Sequence, residues 1–212
     1  MSGLRFHQVI VAPLGAERPL FGPLSLTVAP GEILTLMGPS GVGKSTLLDF
    51  IAGQLDPTFD AQGRILLNDR DITFLKPERR SVGILFQDAV LFPHLSVGSN
   101  LAFGLAERVH GRKARRAAVE EALEQSGLAG FYDRDPATLS GGQRARAALM
   151  RTLLADPQAL LLDEPFSKLD AALRAEIRSF VFSHIRSRNI PALMVTHDER
   201  DAEAAGGPLL EL

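Results

Sequence analysis

Eight consecutive residues, Gly38-Pro39-Ser40-Gly41-Val42-Gly43-Lys44-Ser45, constrain this chain more than any other stretch. Glycines at 38, 41 and 43 let the backbone curl tightly enough for successive N–H groups to converge on one point. The apolar run Ile33 to Met37 before them suits a buried central strand, and Lys44 to Ala52 after them has helical composition. A helix opening near Lys44 aims the positive end of its dipole at the same point. Such a loop is built to hold phosphate. Lys44 brings a full charge to the β- and γ-phosphates, the Ser45 hydroxyl is placed to ligate Mg²⁺, and Gly38 through Thr46 form the cradle. A mere glycine-rich turn would not need all eight positions in this strand–helix setting.

Along the rest of the chain, Leu4 to Val11 and Leu24 to Val28 read as strands. Arg64 to Leu67 and Val82 to Phe86 read as further strands. From Asp88 to Asp156 helix formers dominate, notably Lys113 to Gln125, with Val119, Ala122 and Leu123 as a buried stripe, and Gln143 to Leu154. Strand character returns at Ala159 to Leu162, followed by a helix from Ala171 to Arg188, a strand from Ala192 to Thr196 and a last strand at Pro208 to Leu212. Strands alternating with helices imply an α/β fold with a mostly parallel sheet covered on both faces. The expected organisation is one domain over 1–212. Residues 1–87 and 157–212 make the α/β core, its N-terminal β segment antiparallel, and 88–156 form an inserted helical subdomain.

Bulk properties narrow the function. A net charge of −2 and a pI near 6.2 provide no global positive field, so nucleic acid is not expected as a partner. With no cysteine, disulfides, thiolate metal sites and a cysteine nucleophile are excluded. No stretch reaches the roughly 18 apolar residues of a membrane span, and the N-terminus lacks the apolar core of a secretory signal. His7, His94, His110 and His184 show no metal-ligand spacing. Arg112, Lys113, Arg115 and Arg116 read as a solvated basic face, with anionic head groups as the alternative.

Ala159-Leu160-Leu161-Leu162-Asp163-Glu164-Pro165 sets two acids directly after a buried strand. In parallel α/β sheets the carboxyl ends of strands line the ligand crevice. Asp163 is the expected Mg²⁺ ligand, and Glu164 is expected to orient the attacking water or accept its proton.

Leu139-Ser140-Gly141-Gly142-Gln143, which ends 20 residues before Asp163 and precedes a helix, resembles the signature sequence of ABC ATPases. A Ser-Gly-Gly turn opening a helix is itself an anion site, although Ser140 also suits a plain helix N-cap. The likeness spans nearly the whole chain and implies a P-loop NTPase (RecA-like) core that binds ATP with Mg²⁺. In the family two subunits pack head to tail, so Ser140, Gly141, Gly142 and Gln143 would act on the nucleotide of a second copy. Gln87 resembles the glutamine that senses Mg²⁺ and the attacking water. Asp170, in Ser167-Lys168-Leu169-Asp170, resembles the residue of the loop at the dimer interface, and His197 resembles the switch histidine that contacts the γ-phosphate. The resemblance thus implies Glu164, His197, Gln87 and Lys44 as the catalytic set. Lys168 departs from the small residue usual at its position. A second departure is the lack of an aromatic in Ala12-Pro13-Leu14-Gly15, where the family commonly stacks a ring on adenine. Phe6 and Phe21 read as core, which leaves Leu14 as a weaker apolar contact and GTP as a possible substitute for ATP.

Phe86-Gln87-Asp88-Ala89-Val90-Leu91-Phe92-Pro93-His94-Leu95-Ser96-Val97, with Asn100 to Phe103 after it, is similar to the ATPase subunits of bacterial binding-protein-dependent importers. That likeness implies integral-membrane subunits docking at the cleft near Gln87–Phe103, an extracytoplasmic solute-binding protein, and a cytoplasmic place on the inner face of the membrane. Leu91, Phe92 and Phe103 would contact the membrane subunit or form the helical subdomain's own core. The chain ends 15 residues after His197, so the C-terminal regulatory domain of many sugar- and anion-importer ATPases is not expected. A soluble ABC ATPase acting on DNA or ribosomes is the other class to weigh.

Overall fold

The computed structural model describes residues 3–88, 90–105 and 109–212; Ala89, quoted above, lies outside them. The chain divides into two compact units.

The first unit comprises Met1–Ile84, Gln158–Glu164 and Phe182–Leu212. It holds the antiparallel strands β1 (Leu4–Pro13), β2 (Phe21–Val28), β4 (Phe59–Leu67) and β5 (Arg70–Asp71), in the order β2-β1-β4-β5. A second sheet contains β3 (Ile33–Met37), β6 (Val82–Leu85), β7 (Ala159–Asp163), β8 (Ala192–Val195) and β9 (Leu209–Glu211), in the order β6-β7-β8-β3-β9. Its β3–β8, β3–β9 and β7–β8 pairs are parallel. Ile33 to Leu36, Ala159 to Leu162 and all of β8 are buried, as strands covered on both faces must be. Register decides the chemistry. Leu36 and Asp163 both pair with Val195, so β3, β7 and β8 end at one level of the sheet. β4 extends back to Phe59, well beyond the expected Arg64, because Pro13 to Ile10 of β1 supply partners for Phe59 to Gln62.

Helix α1 (Lys44–Ala52) buries Leu47, Leu48, Phe50, Ile51 and Ala52. Its C-terminal end is closed by Gly53, at φ 81°, and by the guanidinium of Arg80. Arg80 is only 5% exposed. Nη1 donates to the carbonyls of Phe50 (2.7 Å) and Ile51 (3.0 Å), Nη2 to Thr73 O and Nε to Leu75 O (2.7 Å each). A short helix α6 (Glu199–Ala205) follows β8, started by the Asp198 carboxylate accepting from Arg200 N.

The second unit comprises Leu85–Pro157 and Pro165–Val181. It contains α2 (Val97–Gly104), α3 (Arg112–Gln125), α4 (Gly141–Leu154) and most of α5 (Ala171–Ser187). Val119, Ala122 and Leu123 are the buried stripe of α3, as its periodicity indicates. Helix α2 falls within the span read as helical, although the sequence does not mark its bounds, and its glycines are poor helix formers. A β-carbon at Gly98 would lie 2.5 Å from the Tyr132 ring, and one at Gly104 2.2 Å from Arg151 O. Close packing therefore demands residues that propensity disfavours. Asn100, fully buried, ties the preceding loop to α2: Oδ1 accepts from Phe92 N, and Nδ2 donates to the carbonyls of Phe92, Leu95 and Ser96.

The basic cluster on α3 is partly committed to structure. Arg115 donates to the carbonyls of Val109 and Ala102, while Arg116 pairs with Glu120 and lies over the Tyr132 ring. Among the described residues, no helix is long and apolar enough to cross a membrane.

Candidate nucleotide site

The common level of β3, β7 and β8 places three sequence-flagged segments together at the carboxyl edge of the parallel sheet: the loop after Met37, the acids Asp163 and Glu164, and His197. The loop has the backbone its glycines allow. Gly38, Gly41 and Gly43 have φ of 149°, 84° and 101°. A β-carbon at Gly38 would approach Leu212 O to 2.6 Å, so steric space as well as conformation requires glycine there. No side chain caps the first turn of α1, and no acid occupies it. Its N–H donors and dipole are thus left to an incoming anion. Lys44 Nζ donates to Gly38 O and Pro39 O at 2.8 Å each, which folds the ammonium over the loop it is to serve.

Asp163, at the end of β7, accepts a hydrogen bond from the Ser45 side chain. Burial pushes its carboxyl above the ordinary range, and the Glu164 and Asp49 carboxylates add to that push against Ser45 and Lys44. A hydroxyl and a carboxylate crowded by further negative charge form a donor set that a divalent cation would relieve, and the oxygen chemistry fits Mg²⁺. Asp49 is a neighbour that sequence reading missed. Its signal was the four-residue spacing from Ser45 on one helix, which puts both on the same face. Burial raises its carboxyl as well.

Glu164 holds φ at 44°, a left-handed conformation costly for a side chain with a β-carbon, while its N–H donates to Val195 O at 3.0 Å. His197 Nδ1 lies 3.2 Å from Glu164 Oε1, a pairing that motif order alone did not reveal. The imidazole is largely exposed and the carboxylate less so, at 64% and 29%.

Gln87, Ser140 to Gln143 and Asp170 all belong to the second unit. Gln87 Nε2 donates to Ser167 Oγ at 3.0 Å. Helix α4 begins at Gly141, two residues before the expected Gln143, because Ser140 and Gln143 form a capping box. Ser140 Oγ accepts from Gln143 N, and Ser140 N donates to Gln143 Oε1. Ser140 is exposed, so capping still leaves its hydroxyl reachable from outside. A β-carbon on Gly141 would meet nothing within 4 Å, while one on Gly142 would lie 2.4 Å from Leu173 Cδ1. Asp170 is exposed and its Oδ1 accepts from Leu173 N, capping α5.

Two expectations about apolar groups are settled differently from one another. Phe6 and Phe21 are core, and Leu14 is 64% exposed, as the sequence suggested. Of the two readings of Leu91, partner contact or subdomain core, its burial selects the core, and Phe92 is half-buried. Asn100 holds that loop inward through both Phe92 backbone groups. Exposure falls on Phe86, Val90 and Phe103, the last packed edge-on to Phe92 at 4.9 Å between ring centres. A groove of roughly 570 Å³ in this unit has Phe86, Gln87, Val90, Leu91, Arg144 and Lys168 among its lining residues.

A glycine-rich phosphate loop between a buried parallel strand and a helix, beside an acidic strand end, defines a P-loop nucleotide-binding protein. Residues 21–167 match the family ABC transporter. Over 188 residues the chain is 54% identical to Uncharacterized ABC transporter ATP-binding protein YnjD of Escherichia coli (strain K12), covering 89% of this chain and 86% of that one. It is 48% identical to Sulfate/thiosulfate import ATP-binding protein CysA of Synechococcus elongatus over 84% of its length and 51% of the relative's. It is 44% identical to Fe(3+) ions import ATP-binding protein FbpC of Rhizobium etli over 88% and 52%. The chain thus spans about half the length of these two import proteins. Among solved structures, the ATP-binding cassette MJ0796, a dimer in a post-hydrolysis state with ADP and Pi, superposes with a TM-score of 0.79 at 27% identity over 99% of this chain and 94% of that one. The protein cbiO1 of Clostridium perfringens, part of the ABC transporter complex cbiONQ, gives 0.78 at 29% identity over 92% and 78%. The chain belongs to the ABC transporter family and is an ATP-binding ATPase with the P-loop NTPase fold.

Proposed function

We propose that two copies of this chain, packed head to tail, hydrolyse ATP to drive solute import through separate integral-membrane subunits. The carrying observation is that one chain presents two helix starts suited to anions. One follows Gly43, and the other opens at Gly141 behind an exposed Ser140. A single nucleotide needs one cradle, so the second is free to serve a neighbour's nucleotide. The dimeric state of the MJ0796 structure supports the pairing, and the import ATPases CysA and FbpC support the direction. That cbiO1 is part of a transporter complex supports membrane partners, which we place over the Gln87–Phe103 stretch, at the groove beside Gln87 and the exposed Phe103. The remaining assignments are a cytoplasmic position on the inner membrane face, a solute-binding protein outside it, and one working domain over 1–212 with 88–156 as its helical subdomain.

In this reading the N–H groups of the Gly38 to Thr46 loop other than Pro39, which has none, and the Lys44 ammonium hold the β- and γ-phosphates. Ser45 and Asp163 would hold Mg²⁺, with Gln87 as the further ligand that the family resemblance implies; the ion supplies charge neutralisation on the phosphate oxygens. Glu164 takes a proton from the attacking water, and His197, within hydrogen-bonding range of that carboxylate, steadies it and faces the γ-phosphate. Ser140, Gly141, Gly142 and Gln143 close on the partner copy's nucleotide, and Asp170 lies at the shared interface. Catalysis is mainly positioning and charge stabilisation.

Glu164→Gln tests the assignment. It should bind ATP with near-normal affinity, hydrolyse it at least ~100-fold more slowly, and elute as a dimer when ATP is present. Lys44→Ala should instead lose nucleotide binding. Wild-type turnover by Glu164→Gln would remove the proposed base, and a monomer under saturating ATP would remove the head-to-tail pair.

A further inference from the structure

The loop that carries Gln87 and the loop that leads to Asp170 are joined twice. Gln87 Nε2 donates to Ser167 Oγ at 3.0 Å, and one residue further along each loop the Lys168 ammonium donates to Asp88 Oδ1. All four residues belong to the same compact unit. Asp88 and Lys168 also line the groove, so both ends of the ionic link stand where an occupant of that groove would meet them. A small residue at 168 could not make this link, since only a long cationic chain spans the gap to the Asp88 carboxylate.

We propose that Lys168 and Asp88 form an ionic strap whose task is to hold the Ser167 hydroxyl against Gln87, making Lys168 a positioning residue for hydrolysis. The inference rests on the reading of Gln87 as the group that senses Mg²⁺ and water. Exposed side chains on two adjoining loops have many arrangements. A neutral hydrogen bond at the surface selects weakly among them, and a charged bond one residue away restricts both loops at once. With 54% and 64% of the two side chains exposed, the link is open to solvent and screened by salt. Its contribution is therefore to geometry and rate rather than to stability.

The test is ATPase kinetics on the full chain with Lys168→Met, Asp88→Asn, the double variant, the charge-exchanged pair Lys168→Asp/Asp88→Lys, and Lys168→Arg. Each single neutral variant should lower kcat about three- to five-fold, the upper end of what an exposed ion pair contributes, with KM for ATP and the melting temperature unchanged. The double variant should be no slower than either single one, because both remove the same interaction. Lys168→Arg and the charge-exchanged pair should restore most of the rate. Molar salt should slow the wild-type chain toward Lys168→Met while leaving that variant's rate nearly constant. Additive losses in the double variant, or wild-type kcat for Lys168→Met, would overturn the strap. Gln87→Ala separates the two levels. If it is impaired while the Lys168 and Asp88 variants are not, the strap alone fails; if it hydrolyses ATP normally, the role of Gln87 fails and takes the strap with it.

Discussion

Replacing Arg80 by methionine should unfold this protein more readily than any comparable change at its surface. The guanidinium is 5% exposed and donates to four carbonyls, of Phe50, Ile51, Thr73 and Leu75. Hydrogen bonds from a charged donor contribute about 1.5–3 kcal/mol each, which for four would give roughly 6–12 kcal/mol. Two effects reduce that sum. Methionine no longer carries the desolvation cost of a buried cation, on the order of several kcal/mol, which also draws Arg80 below the usual guanidinium range. Phe50 O, moreover, keeps a second donor in Gly53 N at 3.2 Å. The carbonyls of Ile51, Thr73 and Leu75 lose their donor, at about 1–3 kcal/mol apiece before relaxation. The expected net loss is about 3–5 kcal/mol, on the order of 10 °C in Tm for a chain of this size. Lysine should restore little, because one ammonium cannot reproduce a fork aimed at four acceptors. Urea unfolding of the two variants and the wild-type chain measures this directly. Because α1 carries the phosphate loop at its other end, saturating ATP should recover part of the loss through binding to the folded state. A Met variant within about 1 kcal/mol of wild type would refute the reasoning, since it would mean that water serves these carbonyls as well as the guanidinium does.

Neighbouring glycines at the start of α4 should respond oppositely to alanine. Gly141→Ala meets open space within the chain and should leave the urea midpoint nearly unchanged, whereas Gly142→Ala must displace Leu173 from 2.4 Å and should lose about 1–3 kcal/mol of stability; equal effects would refute the packing account. With Leu14 in place of a stacking ring and Phe6 and Phe21 buried, kcat/KM for GTP should lie within about five-fold of that for ATP, since an aromatic stack adds only about 0.5–1.5 kcal/mol. A twenty-fold preference for ATP would show that another group reads the base.

Local chemistry made the centre of this protein legible in its residues. The loop from Gly38 to Ser45 needs glycine torsions, a cation and a hydroxyl at fixed spacing, and few other sequences meet those demands. The buried parallel strands were equally plain, because apolar runs covered on both faces are continuous rather than alternating. Other features depended on contacts between distant positions. The bounds of helix α2 were not legible, and its Gly98 and Gly104 are there for the Tyr132 ring and the Arg151 backbone. Leu91 could not be told from a docking residue until Asn100 was seen to fold its loop inward.

The site divides along the same line. In the sequence, the phosphate loop and the Asp163-Glu164 pair stood out by their local chemistry, whereas Gln87, Ser140, Asp170 and His197 were singled out by family resemblance and their order along the chain. Only the tertiary structure brought His197 within 3.2 Å of Glu164, set Asp49 beside Asp163 and linked Lys168 to Asp88 across 80 positions. Strand register and loop packing decide such meetings, and neither is encoded by the residues that meet.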